Sequence, residues 1–339
     1  MDFIDSMISE RLGDLSFFNT TTRLYKFEKL KKITKDAQLK NPGIKLINLG
    51  VGEPDRIANY KVIDVLCKES YKNENRFYAD NGILEFQEAA CRFMKNVYDI
   101  DNLTCDNIMH GIGSKSILAM IPIGFINPGD VCLMTVPGYP IMGTYSKFLG
   151  GEVYNLPLCE KNNFFPDLES IPQDILTRAK LLYINYPNNP TGQTATKEYY
   201  EYLISFCKKN KIFIISDMAY GTLTYNNYKE LIEENIKRYS RRFNLLVDVL
   251  KNIGFKVNKP DAGFYLYVPI PKGAGDIIFH NSEEAFAYIL EHAMISTVPW
   301  DDCGSYLRFS VTYEALTQQD EIELMDEIFN RLNSLNLIF

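Results

Sequence analysis

Apolar positions along the chain follow two alternating rhythms. Short, largely apolar runs at 131–136, 181–184 and 212–215 do not alternate with polar residues. A parallel strand buried on both faces reads this way. Between the last two runs, Tyr199, Tyr202, Leu203, Phe206 and Cys207 recur at helical spacing across 197–210. Strand, helix, strand is a βαβ unit, and it predicts a mostly parallel sheet with helices on both faces, an α/β architecture. The strands of this unit stop at polar groups, Asn188-Asn189-Pro190-Thr191-Gly192 after the first and Asp217 after the second. Ligands of open α/β sheets sit at the carboxyl ends of strands. The strand ends at Gly111, Val136, Asn185 and Asp217 are therefore expected to face one crevice.

The same reading places amphipathic helices over 27–39, 62–73, 83–98, 117–125, 228–253, 282–293 and 316–332. Further strands are expected at 45–49, 107–110, 151–158, 264–268, 295–298 and 306–310. After residue 225 the βαβ rhythm gives way to one long helix and shorter alternating elements. The expected organisation is an N-terminal arm and helix over 1–45, a large domain over 46–225, and a small α+β domain over 228–339.

Composition changes this picture little. At 339 residues the chain is long enough for about two domains, and 46% apolar with 23% charged residues is ordinary for a globular protein. A net charge of −7 gives no basic footprint, which argues against nucleic acid as a partner. The longest apolar stretch, 117–126, is broken by Pro122 and Gly124 and is too short to span a bilayer. No membrane partner is expected. Residues 1–5 are acidic and lack the apolar region of a secretory signal. The seven cysteines, at 67, 91, 105, 132, 159, 207 and 303, form no C-x-x-C pair, so reduced thiols in a cytoplasmic protein are expected.

Four stretches carry candidate chemistry. Gly111-Ile112-Gly113-Ser114-Lys115 opens a helix, where free N–H groups and the helix dipole suit an anion. It lacks the Walker A spacing and the third glycine of a dinucleotide fingerprint, which disfavours a nucleotide-binding domain. Tyr139, between Pro137 and Pro140, is a stiff aromatic platform or simply a tyrosine packed in a proline turn. Asp217 is a carboxylate at a dry strand end, costly without a cationic partner, or else a helix cap. Arg308 lies between Leu307 and Phe309 on an apolar strand, which places its guanidinium inside rather than at a surface edge.

Asn189-Pro190-Thr191-Gly192 together with Asp217-x-x-Tyr220 resembles the cofactor site of the fold-type I, class I/II aminotransferases, which use pyridoxal phosphate. The resemblance covers most of the chain from Leu24 onward. Within the family it is nearest to the LL-diaminopimelate aminotransferases, on stretches 78–82, 111–118, 138–143, 151–157, 186–192 and 298–312. It implies that Asp217 pairs with the pyridine nitrogen, Asn189 and Tyr220 hydrogen-bond the ring hydroxyl, and Tyr139 stacks on the ring. It also implies that the Ser114 and Lys115 amides hold the phosphate, with Tyr78 reaching across a homodimer. On the substrate side it implies roles for Tyr25, Gly50, Lys115, Tyr139, Asn189 and Arg308, the last forking onto the α-carboxylate. The partners implied are an amino acid and a 2-oxo acid. Taken alone, Tyr78 also reads as an ordinary loop tyrosine and the Gly50 segment as a plain glycine turn.

One departure outweighs these agreements. In the family, a segment of several dozen residues separates Asp-x-x-Tyr from the long helix of the small domain. It carries Ser-x-Ser-Lys, whose lysine forms the Schiff base, and a phosphate-binding arginine. Here Tyr220-Gly-Thr-Leu-Thr-Tyr225 runs through Asn226-Asn227 almost directly into Tyr228-Lys229-Glu230, and Ser-x-Ser-Lys occurs nowhere. Lys229 and Lys237 are the nearest lysines and do not match. Two central strands of the large-domain sheet are expected to be missing with the segment, leaving unpaired backbone groups and exposed apolar surface. No catalytic residue is therefore assigned. Pyridoxal phosphate is expected to bind weakly and without a covalent link. Three outcomes stay open: an impaired or inactive aminotransferase, a pseudoenzyme that binds cofactor or partner, and an enzyme with a replacement base.

Overall fold

The protein is described here by a computed structural model covering Met7 and residues 26–79, 82–225 and 233–339. In chain order the elements begin with helix α1 (Lys26–Lys40) and strand β1 (Ile47–Asn48). Helices α2 (Tyr60–Ser70), α3 (Leu84–Tyr98) and α4 (Gly113–Phe125) follow, then β2 (Val131–Val136), α5 (Ile141–Phe148) and β3 (Glu152–Pro157). Next come α6 (Gln173–Arg178), β4 (Ala179–Asn185), α7 (Lys197–Asn210), β5 (Phe213–Asp217) and α8 (Glu233–Ile253). The last part holds β6 (Tyr265–Pro269), β7 (Gly273–Ala274), β8 (Ile277–Ile278), α9 (Ser282–Ala293), β9 (Ile295–Ser296), β10 (Val298–Trp300), β11 (Tyr306–Ser310), α10 (Gln318–Asn333) and β12 (Leu337–Ile338).

The chain divides into two compact units, residues 54–117 and the remainder. The smaller unit contains α2 and α3, whose apolar residues Val62, Val65, Leu66, Leu84 and Phe93 are exposed. Its expected strand at 107–110 is not formed: a short 3-10 helix covers Cys105–Asn107 and irregular backbone follows. A lone parallel strand has nothing to pair its backbone, and no neighbour reaches it among the described residues. Helix α4 starts at Gly113, four residues earlier than its apolar pattern suggests, because Ser114–Ser116 form its polar first turn.

In the larger unit the parallel sheet has strand order β3-β2-β4-β5. The largely apolar runs are explained by burial on both faces. Leu181 and Tyr183 of β4 pack with Cys132, Met134 and Met142 on one side, while Leu182 and Ile184 pack with Leu203 and Cys207 on the other. β4 and β5 run in register with Asn185 opposite Asp217. Among the described residues β5 pairs only with β4, so its far side is an open edge. Phe213 on that edge is 54% exposed and stacks on exposed Phe125 at 5.1 Å. Met120 and Ile123 of α4 are exposed as well.

A second core gathers around α8, α9, α10 and the antiparallel sheet β10-β11-β6, with β1 paired in parallel to β9. Inside it the Glu321 carboxylate accepts hydrogen bonds from Arg242 Nε at 2.8 Å and from Arg241 at 2.8 and 3.0 Å. The expected helix at 228–253 is observed as α8, and its first residues lie outside those described. The expectation of reduced thiols throughout is corrected: Cys159, just after β3, is disulfide-bonded to Cys303, just after β10. Their separation of 144 residues hides the pair from any spacing rule. Of the free cysteines, Cys132 of β2 and Cys207 of α7 are buried, and burial pushes both thiols up to about 11.

Candidate functional site

The ends of β4 and β5 are tied together by their own polar residues. Asn185 donates from Nδ2 to the Asp217 carbonyl at 2.8 Å and accepts from the Asn189 N–H at 2.9 Å. Asn188 Oδ1 accepts from the Thr191 N–H at 3.2 Å and its hydroxyl at 2.8 Å. Gly192 closes this turn with φ +74°, and a Cβ there would meet Pro260 at 2.6 Å, so glycine is needed twice over. The Asn-Asn-Pro-Thr-Gly motif is thus a self-bonded loop that holds Asn189 still. Beside it the Asp217 carboxylate accepts from the Tyr183 hydroxyl at 2.9 Å and the Ala219 N–H at 3.2 Å. Burial, reinforced by the Asp217 charge, pushes the Tyr183 hydroxyl far up, so it stays a proton donor.

Asn189 is the hub. Its Nδ2 lies 3.3 Å from the Tyr220 oxygen, and its Oδ1 accepts from Arg308 at 3.0 Å. Arg308 is 3% exposed, donates to the Gly50 carbonyl at 2.7 Å, and lies 3.9 Å over the Tyr265 ring. Burial lowers its pKa from the usual value, yet a guanidinium remains charged in proteins. Gly50 is required by space, because a Cβ would sit 2.9 Å from the Thr297 carbonyl oxygen. Burial also raises the Tyr220 pKa, which keeps its phenol neutral.

These groups border a cavity of about 640 Å³ lined by Gly50, Tyr139, Asn189, Tyr265, Trp300 and Arg308 among others. Its size is that of a cofactor or substrate site. Lys31 of α1 is the lysine in its wall. The buried Thr297 hydroxyl also lines it and has no hydrogen-bond partner among the described residues. An orphaned hydroxyl facing a cavity is accounted for by a polar guest. Of the groups a pyridine ring needs, the Asn189 amide and the Tyr139 ring line this cavity and the Tyr220 phenol is bonded to Asn189, whereas the Asp217 carboxylate faces Tyr183 and Ala219.

Of the residues expected from sequence, Gly50, Tyr139, Asn189 and Arg308 meet at the cavity, Tyr220 reaches it through its hydrogen bond to Asn189, and Asp217 is tied by its carbonyl to Asn185 at the neighbouring strand end. Ser114 and Lys115, in the first turn of α4, and the fully exposed Tyr78 belong to the 54–117 unit. Tyr25 lies outside the described residues. Sequence reasoning missed Tyr183, Tyr265, Trp300 and Lys31, and named Asn185 only as a strand end facing the crevice. Asn185 carried a readable signal, as the polar residue ending an apolar run, whereas Tyr183 was hidden within the run itself.

Residues 44–234 match the family described as aminotransferase class I and II. The chain is 38% identical to an LL-diaminopimelate aminotransferase of Methanocaldococcus jannaschii, with 99% of each chain covered. It is 35% identical to one of Methanococcus maripaludis, again over 99% of each. The first alignment extends over 415 positions, against 339 residues in this chain, so the relative holds several dozen residues with no counterpart here. In three dimensions the chain is similar to apo-BacF of Bacillus subtilis at TM-score 0.82 and 24% identity, covering 93% of this chain and 97% of that one.

Proposed function

The chain belongs to the class I and II aminotransferases, and from that premise we propose that it is a pyridoxal-phosphate and amino-acid binding scaffold whose transaminase activity is strongly impaired. The substrate pair proposed is LL-diaminopimelate with 2-oxoglutarate, in a cytoplasmic homodimer serving lysine biosynthesis. The observation that carries this reading is the Asn189 side chain, bonded on one side to Tyr220 and on the other to Arg308. It joins the place for a cofactor ring to the place for a substrate carboxylate.

Pyridoxal phosphate, when bound, supplies a pyridinium ring that withdraws electrons from the substrate Cα. Asp217, already oriented by Tyr183 and Ala219, would hold the proton on the ring nitrogen. Asn189 and Tyr220 would hold the ring hydroxyl, and Tyr139 would cover one face. Ser114 and Lys115 would offer N–H groups to the phosphate, with Tyr78 supplied across the dimer. Arg308 would present two N–H groups to a substrate α-carboxylate. What the chain lacks is an assigned amine to shuttle the proton between substrate and cofactor, a loss worth roughly 10²–10⁴-fold. The absence of Ser-x-Ser-Lys and the surplus positions in the relative both support this.

The test is glutamate formation from LL-diaminopimelate and 2-oxoglutarate with added pyridoxal phosphate, beside an absorbance titration of the cofactor. Cofactor binding that weakens in Asp217→Ala, with glutamate at background, upholds the reading. Robust turnover, or preference for a nicotinamide cofactor, overturns it.

A further inference from the structure

A second pocket, of about 340 Å³, adjoins the first cavity and shares Tyr139 and Trp300 with it. Its apolar lining comes from Met134 and Val153 of the sheet and Gly143 of α5. Thr135 also lines it, 1% exposed, and the hydroxyl has no hydrogen-bond partner among the described residues. A buried hydroxyl left orphaned is unfavourable unless something in the pocket bonds it.

Two opposite charges reach the same pocket, Lys147 from α5 and Asp302 from the loop after β10. They form no ion pair with each other, and neither side chain makes a hydrogen bond among the described residues. The loop presenting Asp302 is held in place, because its neighbour Cys303 is disulfide-bonded to Cys159 beyond β3. The pocket thus offers an anchored acid, a base and a free hydroxyl over an apolar floor. We infer that it is a binding site for a zwitterionic amino-acid head group. Asp302 takes the ammonium, while Lys147 and the Thr135 hydroxyl take the carboxylate. The head group is either that of a free amino acid or the far end of a longer substrate whose near end meets Arg308. The assignment stands on these residues and does not require the transaminase reading.

The chain has a single tryptophan, Trp300, and it lines both pockets, so its fluorescence reports on each. The probe is L-norleucine, titrated into the parent protein and into Lys147→Met, Asp302→Asn and Thr135→Val. The first two positions are exposed and the third change is isosteric, so folding is preserved. Each variant is expected to lose one binding event or weaken it by about 10-fold, as loss of a charge-assisted contact does. Lys147→Arg is expected to retain it. Two norleucine equivalents per parent chain identify a free amino acid as the guest. A single LL-diaminopimelate that needs both Lys147 and Arg308 identifies the far end of a substrate. Titrations of Lys147→Met and Asp302→Asn that coincide with the parent overturn the inference. Binding lost only in Arg308→Ala also overturns it, while leaving the proposed function intact.

Discussion

Arg308 shows how one residue fixes both packing and chemistry. Its guanidinium bonds Asn189 and Gly50 at once and lies against Tyr265. A lysine carries one point charge and cannot reproduce that fork. Arg308→Lys is expected to weaken 2-oxoglutarate binding, read by Trp300 fluorescence, at least about 10-fold; unchanged affinity would remove Arg308 from the site. Glu321 is the matching case for stability. Burial raises its pKa, but hydrogen bonds from Arg241 and Arg242 outweigh this, leaving it below the usual 4.5. A carboxylate with a depressed folded pKa stabilises the fold above 4.5 and loses that contribution as pH falls through the lower folded value. Glu321→Ala leaves Arg242 buried without its carboxylate and is expected to cost roughly 3–5 kcal/mol in urea unfolding at neutral pH. Glu321→Gln is expected to flatten the loss of stability between neutral pH and pH below 4.5. A variant as acid-labile as the parent would contradict the assignment.

At the scale of elements, β2, α7, α9 and β11 were legible to the residue, because two-sided burial and clean amphipathic spacing leave local signals. The strand expected at 107–110 was not, since a strand depends on a neighbour that local pattern does not contain. The disulfide was illegible for the same reason, being a product of topology. Edge strand β5 leads to a prediction of its own. Phe213→Lys puts a charge on an open edge, so light scattering on concentration is expected to fall, while stability changes by no more than about 1.5 kcal/mol from the lost stack on Phe125. Scattering that does not fall would mean that the edge is covered in solution. Replacing Cys159 and Cys303 by serine removes a long-range crosslink and is expected to lower stability by about 2–4 kcal/mol. An unchanged urea midpoint would show that the crosslink contributes nothing.

For the whole molecule, the motif residues near Asn189 were readable because each sits at the end of a strand whose position the βαβ pattern dictates. Their partners Tyr183 and Tyr265 were not, since only the tertiary fold puts them in reach. On the proposed reading, the absent Ser-x-Ser-Lys makes the junction between Tyr225 and Tyr228 the place to restore it. Grafting the corresponding segment of an intact relative there is expected to restore glutamate formation; a folded but inactive graft would mean that the rest of the site has decayed too. As proposed, the crevice keeps its cofactor contacts but lacks the amine that bonds the cofactor covalently. Borohydride reduction of the protein with stoichiometric pyridoxal phosphate, followed by peptide mass analysis, tests it most directly. Cofactor is expected to dialyse away, with no lysine labelled near one equivalent. One pyridoxyl group per chain on a single crevice lysine, Lys31 above all, would contradict it.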